Sequence, residues 1–323
     1  MVVLIVKVSK RKTSNRYKIS RKFLLFWTIF IGLGAVFGSS CMLIDPSGKL
    51  MGMDAMLPYF QVLPFASVLF QNFIFSGIAL LIVNGITNIL SFVLLLKNKK
   101  LGMYLGMIFG ITLMLWIVIQ FIIFPLNFMS TIYFIFGFLQ FITGYIMIVG
   151  YKQDNFNFDI NSYPNISQNS KSLVVYFSRM GYTKKIAYEL ANSLNSEIYE
   201  IKTKEKIDGN LGFWWCGRFG MHGWTMPIDE ITIDLTKYEK VFICTPIWVF
   251  QTAAPVKEFC DKASGKIKNV SYCFNHFMKT SFKSLAKDLD NRLNTKHQNV
   301  LSYSCHFGKY KLIYDESNTN LKK

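Results

Sequence analysis

The chain has 323 residues, 51% of them hydrophobic, 16% aromatic and 17% charged, with a formal net charge of +17. That apolar content excludes a disordered chain, and the length leaves room for two units. The positive excess suits an anionic partner. No nucleic-acid-binding motif accompanies it, so a lipid surface is expected and nucleic acid is not.

The chain opens with a basic arm, residues 1–22, carrying Lys7, Lys10, Arg11, Lys12, Arg16, Lys18, Arg21 and Lys22 with no acidic residue. Its first six residues, MVVLIV, are too short to span a bilayer. Four long apolar segments follow, at 23–44, 73–96, 101–124 and 131–150, together forming a membrane domain over 23–150. Each has about the twenty residues that a hydrocarbon core requires, and none contains an Asp, Glu, Lys, Arg or His. The basic arm and the KNKK loop at 97–100 predict that both termini lie on the cytoplasmic face of a cell membrane crossed four times.

Polar side chains within the spans are few: Asn84, Asn88, Gln120 and Gln140. They read as interhelical hydrogen bonders or, alternatively, as a quinone-head-group site. Without ionisable groups an ion pump is not expected, and without histidines neither is a membrane haem. Gly32, Gly34 and Gly38 suit close helix packing. The segments GLGAVFGSSCMLIDPSG (Gly32–Gly48), LMGMDAMLP and WIVIQ resemble those of a family of small bacterial four-helix membrane proteins of uncharacterised function.

Residues 151–171 are rich in Asn and Ser and read as a flexible linker. Beyond them, strands are expected at 172–177, 197–201, 240–244, 270–275 and 299–304, and helices at 182–194, 255–263 and 279–293. Residues 313–323 read as a polar tail. Strands interleaved with helices indicate an α/β domain over 172–312, a doubly wound parallel sheet whose ligand lies at the carboxyl ends of the strands.

Three loops would lie at that edge. The first, SRMGYT, runs through Ser178, Arg179, Met180, Gly181, Tyr182 and Thr183 straight into a helix. It offers hydroxyls, a glycine for close approach and outward N–H groups, which together suit a phosphate. The second opens with Thr245, Pro246, Ile247 and Trp248, and the indole presents a flat apolar surface. The third brings Asn275 and His276 as polar groups, with Phe277 as another plane.

The strand–SxxGxT–helix loop and the PIW segment at Pro246–Trp248 resemble the flavodoxin family over about 140 residues, from Lys171 to about Tyr310. The resemblance implies a five-stranded sheet in the order 2-1-3-4-5 and a bound flavin mononucleotide (FMN). The first loop would hold the 5′-phosphate, Trp248 would pack on the isoalloxazine, and the third loop would approach its other edge. Met180 departs from the family pattern by removing a hydroxyl. The segment Leu211–Pro227, LGFWWCGRFGMHGWTMP, stands in place of a normal helix, and the last helix is truncated.

The Trp-rich segment reads in three ways: a lid on its own sheet, a cover for the flavin through Trp214, Trp215 or Trp224, or a dip into lipid headgroups. The six cysteines show no CxxC pair and no metal-ligand spacing, so packed thiols are expected and no metal. The function these features imply is a membrane-anchored FMN protein that transfers electrons to a quinone or a membrane redox enzyme, with NAD(P)H as a candidate donor. The alternative is a degenerate flavodoxin-like interaction module without flavin.

Overall fold

The computed structural model describes residues 15–317 and divides into two compact units between Asn155 and Phe156. Most of the basic arm, including the MVVLIV run, and the last six residues of the polar tail lie outside the described residues.

The first unit is helical. Its long helices are α1 (Asn15–Ile44), α2 (Ile74–Leu96), α3 (Lys100–Ile123) and α4 (Phe128–Asp154), with mean hydropathies of 1.8, 2.3, 2.3 and 2.0. At 1.5 Å per residue even the shortest reaches about 34 Å, enough to cross a hydrocarbon core of about 30 Å. Of the three glycines expected at close contacts, only Gly32 is tight, with space for a Cβ ending 3.0 Å from Ile89. The closest approach lies elsewhere, between α3 and α4. A Cβ on Gly110 would sit 2.7 Å from the Gly137 carbonyl oxygen, and one on Gly144 would sit 2.7 Å from Met107 Cβ.

The buried amides form a chain across the bundle. Gln140 Nε2 donates to Asn88 Oδ1 and to the Gly106 carbonyl, each at 2.8 Å, and Asn88 Nδ2 donates to the Asn84 carbonyl at 2.9 Å. Ser130 Oγ donates to Gln120 Oε1 at 2.9 Å. These bonds serve the hydrogen-bonding reading of the intramembrane polar groups. Asn84 differs. It lies in a π-helical turn, Leu81–Ile86, fully buried, and neither side-chain amide atom has a partner.

The second unit is built on the strands β1 (Ser172–Tyr176), β2 (Glu197–Glu200), β3 (Lys240–Trp248), β4 (Gln251–Thr252), β5 (Val270–His276), β6 (His297–His306) and β7 (Lys309–Asp315). The sheet order is β2-β1-β3-β5-β6-β7, with β4 folded back on β3. The five parallel strands thus follow the flavodoxin-like order 2-1-3-4-5. Two antiparallel additions correct the expected five-stranded sheet: β4 on β3, and β7 hairpinned onto β6 through Phe307–Gly308. The polar tail therefore starts later than expected, since β7 extends through Asp315.

Alternation along β1 explains the two layers. Leu173, Val175 and Phe177 face a core completed by α7 (Ala254–Lys262) and α8 (Ala286–Leu293), while Val174 and Tyr176 face α5 (Tyr182–Leu194). The helix expected over 279–293 is regular only from Ala286.

Two further expectations are corrected. Residues Gly209–His222 form a helix, α6, so the Trp-rich segment does not replace one. Its inner side packs Cys216 with Met226, Ala254, Phe219 and Trp248. The expected flexible linker is also absent as such. Tyr151–Asp154 complete α4, and residues 156–171 pack on the second unit. There Phe158 and Tyr163 lie 5.0 and 5.8 Å from the Tyr188 ring, and the Ser167 N–H bonds the Ser196 carbonyl at 3.2 Å. Aromatic side chains at 156, 158 and 163 give an otherwise polar stretch enough apolar area to dock.

The two asparagines of α2 are expected to respond oppositely to replacement. Asn88→Leu leaves one of the two Gln140 Nε2 hydrogens without an acceptor, the other staying on the Gly106 carbonyl, and should cost about 1–3 kcal/mol of bundle stability. Asn84→Leu removes a buried amide with no partner and should be neutral or stabilising. Unfolding of the full chain in mixed micelles reads both; equal losses would contradict the hydrogen-bond assignment.

Candidate functional site

The first loop leaves β1 at Phe177 and enters α5 at Tyr182. Gly181 makes the turn with φ +88°, a left-handed conformation that glycine adopts without strain. Its N–H donates to Ser178 Oγ at 3.1 Å. No side chain caps the start of α5, and no acidic residue lies in its first turn, which instead holds Lys184 and Lys185. Cations are unfavourable at a helix N-terminus, so the two lysines leave this start without the negative charge that an anion would supply.

Thr183 is buried, and its Oγ1 accepts from Asn275 Nδ2 at 3.0 Å. This bond ties the first loop to the end of β5. With an acceptor position filled, the Thr183 hydroxyl hydrogen remains to be donated. Asn275 Oδ1 is buried and unpartnered. Arg179 does not turn toward the α5 start. Its Nε and Nη2 donate to the Ile207 and Gly209 carbonyls, both at 2.6 Å, and so clamp the loop to the beginning of α6.

The second loop is a β-hairpin. Trp248 ends β3, and Val249 and Phe250 turn the chain with φ +47° and +63°. A hairpin of this kind favours Asn-Gly, so Val-Phe here is strained. Trp248 stands edge-on to Phe177, with ring centroids 5.4 Å apart, and its main chain packs against Gly220 of α6. Phe250 lies 6.3 Å from Phe282 of the third loop, and Phe282 lies 4.8 Å from His276. The three loops are thus joined pairwise, through Thr183–Asn275, Phe177–Trp248 and Phe250–Phe282.

Two expected site residues are consumed by the fold. Thr245 Oγ1 donates to the Pro246 carbonyl at 3.0 Å and accepts from the Ala253 N–H at 3.2 Å, holding the hairpin. His276 Nδ1 meets the Met278 carbonyl at 3.0 Å, so that nitrogen carries the proton, and Nε2 accepts from Ser302 Oγ at 2.7 Å. Ile247 packs against the core, and Pro246 and Met180 are half-buried. The Tyr182 carbonyl accepts from Tyr310 OH at 2.8 Å.

Sequence reasoning missed Phe250, Phe282 and Phe156. The Phe156 ring stands 4.6 Å from Tyr182 and borders Gly181. The aromatic spacing within 156–163 was the available signal for Phe156. Phe250 and Phe282 carried none, because their partners come from separate loops.

On α6, Trp215 Nε1 donates to Glu205 Oε2 at 2.9 Å, and Trp224 stacks on His222 at 4.3 Å with Arg218 5.8 Å away. Leu211, Trp214 and Met221 are exposed. Burial pushes the Cys216 thiol up to about 11, so it stays protonated and unreactive at neutral pH. Among the described residues no cluster of His, Cys, Asp and Glu could hold a metal ion.

No family model matches the chain, and no curated protein matches it. Solved structures do resemble the second unit. One is a flavoprotein from Lactobacillus acidophilus NCFM in complex with FMN, 24% identical, covering 42% of this chain and 93% of its own, with a TM-score of 0.36. A protein from Bacteroides eggerthii DSM 20697 assigned as a flavoprotein is 26% identical, covering 41% and 88%, with a TM-score of 0.36. Another so assigned, from Bacteroides uniformis ATCC 8492, is 21% identical, covering 42% and 92%, also at 0.36.

Burial also holds the His276 imidazole below its ordinary value of 6.5. The unfolded chain then binds the proton more tightly, so stability is full above pH 6.5 and falls as the pH drops from there toward the depressed folded value. Unfolding monitored by tryptophan fluorescence should show this slope, and His276→Gln should flatten it. An unchanged slope in the variant would assign it to other groups.

Proposed function

We propose that the second unit binds FMN at the carboxyl edge of its sheet. The chain, held at a bilayer by α1–α4, would pass electrons to a quinone or a membrane-bound redox partner. The observation that carries this reading is the uncapped, doubly cationic start of α5, set where three loops meet.

The residues fit a phosphate ester. Ser178 and Thr183 have hydroxyl hydrogens to donate, the first-turn N–H groups of α5 point outward, and Lys184 and Lys185 supply positive charge. Both ammonium groups are only loosely held by carboxylates, at 3.5 Å from Glu200 and 3.7 Å from Glu189. Asn275 is a positioning residue for Thr183, and its own unpartnered Oδ1 is an acceptor for a ligand N–H. Phe250 and Phe277, both exposed, offer apolar planes, while Trp248 belongs to the wall of the site.

Bound FMN supplies one- and two-electron chemistry, and the protein sets its access and surroundings. The exposed Leu211, Trp214 and Met221 on α6 favour an apolar, lipid-soluble acceptor. A tether to the membrane raises the local concentration of such acceptors to roughly millimolar. The basic helix ends support a cytoplasmic location for the unit. Turnover of quinone with NADH or NADPH alone would identify an enzyme, and a requirement for a protein donor would identify a carrier.

Titration of the flavin-free full chain with FMN tests the reading. Saturable binding is expected, weakened about tenfold or more in Thr183→Ala through loss of a charge-assisted hydrogen bond. Protein that takes up no flavin would return the unit to the alternative of an interaction module.

A further inference from the structure

All four long helices meet at one end of the first unit around a small notch. It is lined by Tyr17 and Arg21 of α1, by Leu95, Asn98 and Lys99 at the end of α2 and its loop, by Lys100 and Met103 of α3, and by Met147 and Tyr151 of α4. Three of these side chains are cationic and none is acidic. Leu95, Met103 and Met147 are almost wholly buried and make an apolar floor. The notch is shallow, admitting about one water-sized group below an open mouth, so a larger ligand would sit at its cationic rim.

Arg21 reaches across with Nη2 donating to the Leu95 carbonyl at 2.9 Å, which fixes its guanidinium in the notch. Its Nε–H is buried and has no partner. A buried, unpaired donor on a cation is costly unless something completes it. Lys99 precedes α3 without a side-chain cap, so the first N–H groups of this 24-residue helix open at the same place. Lys100 Nζ lies 5.4 Å from the centre of the Tyr151 ring.

We infer that this notch is a binding site for a phosphate ester, supplied by the headgroup of an anionic phospholipid. The cationic rim and the α3 start match the phosphate, and the apolar floor matches the glycerol end of a lipid, which inorganic phosphate lacks. The inference rests on reading α1–α4 as membrane spans. It makes the basic end of the bundle a built site for one lipid as well as a topological signal.

Native mass spectrometry of the full chain, released from nanodiscs of equal phosphatidylglycerol and phosphatidylcholine, tests it. Phosphatidylglycerol should be retained about fivefold over phosphatidylcholine. Arg21→Gln and Lys100→Gln should each reduce that preference about fivefold, to near parity, as loss of one cation facing an anionic lipid implies. Lys49→Gln, in the loop after α1, should leave it unchanged. Equal retention of the two lipids, or wild-type preference in both Arg21→Gln and Lys100→Gln, would overturn the site. Displacement of the lipid by millimolar inorganic phosphate would reassign the notch to a free anion. A chain that stays soluble without detergent or nanodisc would instead refute the spanning reading beneath it.

Discussion

The hydrogen bond from Asn275 to Thr183 spans the middle of the sheet and joins the end of β5 to the first turn of α5. It matters because the parallel sheet delivers every strand's carboxyl end to one edge, where α5 begins with unsatisfied N–H groups and two lysines. Without a partner this helix start is electrostatically incomplete. The loops around it are held by Arg179, by the Phe177–Trp248 contact and by the Thr245 hydroxyl. These contacts fix the edge in one arrangement, as the proposed binding of an anion attached to an apolar body requires.

The same rule, that a polar group in a low-dielectric setting must be paired, organises the first unit. Gln140, Asn88 and Asn84 pass hydrogen bonds from α4 to α2, and glycines at 110, 137 and 144 let α3 and α4 approach closely enough for backbone contact. Pairing is incomplete among the described residues at Asn84 and Arg21 Nε, and also at Ser39, Ser76 and Gln140 Oε1.

Much of this was legible in the chain. The four spans follow from runs of apolar residues, and the parallel α/β sheet follows from strands alternating with helical periods, while its strand order came only from the resemblance to flavodoxins. The Ser178–Thr183 loop is local, so its chemistry could be read from six consecutive residues. What escaped depends on how loops and strands fold back on one another. His276 and Thr245 looked like ligand groups, but Ser302, Met278 and Ala253 occupy them. The stretch 156–171 looked like a tether by its Asn and Ser content, yet three aromatic side chains among them anchor it. Helix α6 was obscured by its glycines and tryptophans, which are poor helix signals until Gly212 and Gly220 are seen to admit Ile207 and Trp248.

On the proposed function, the α5 start is an anion site for the phosphate of a flavin. Comparing FMN with riboflavin, which has the same ring system without the phosphate, isolates that claim. Calorimetry on the detergent-solubilised full chain should show FMN binding at least about a hundredfold more tightly, the equivalent of roughly 3 kcal/mol placed in the phosphate contacts. Equal affinity for the two would contradict it, because the ring alone would then be carrying the binding.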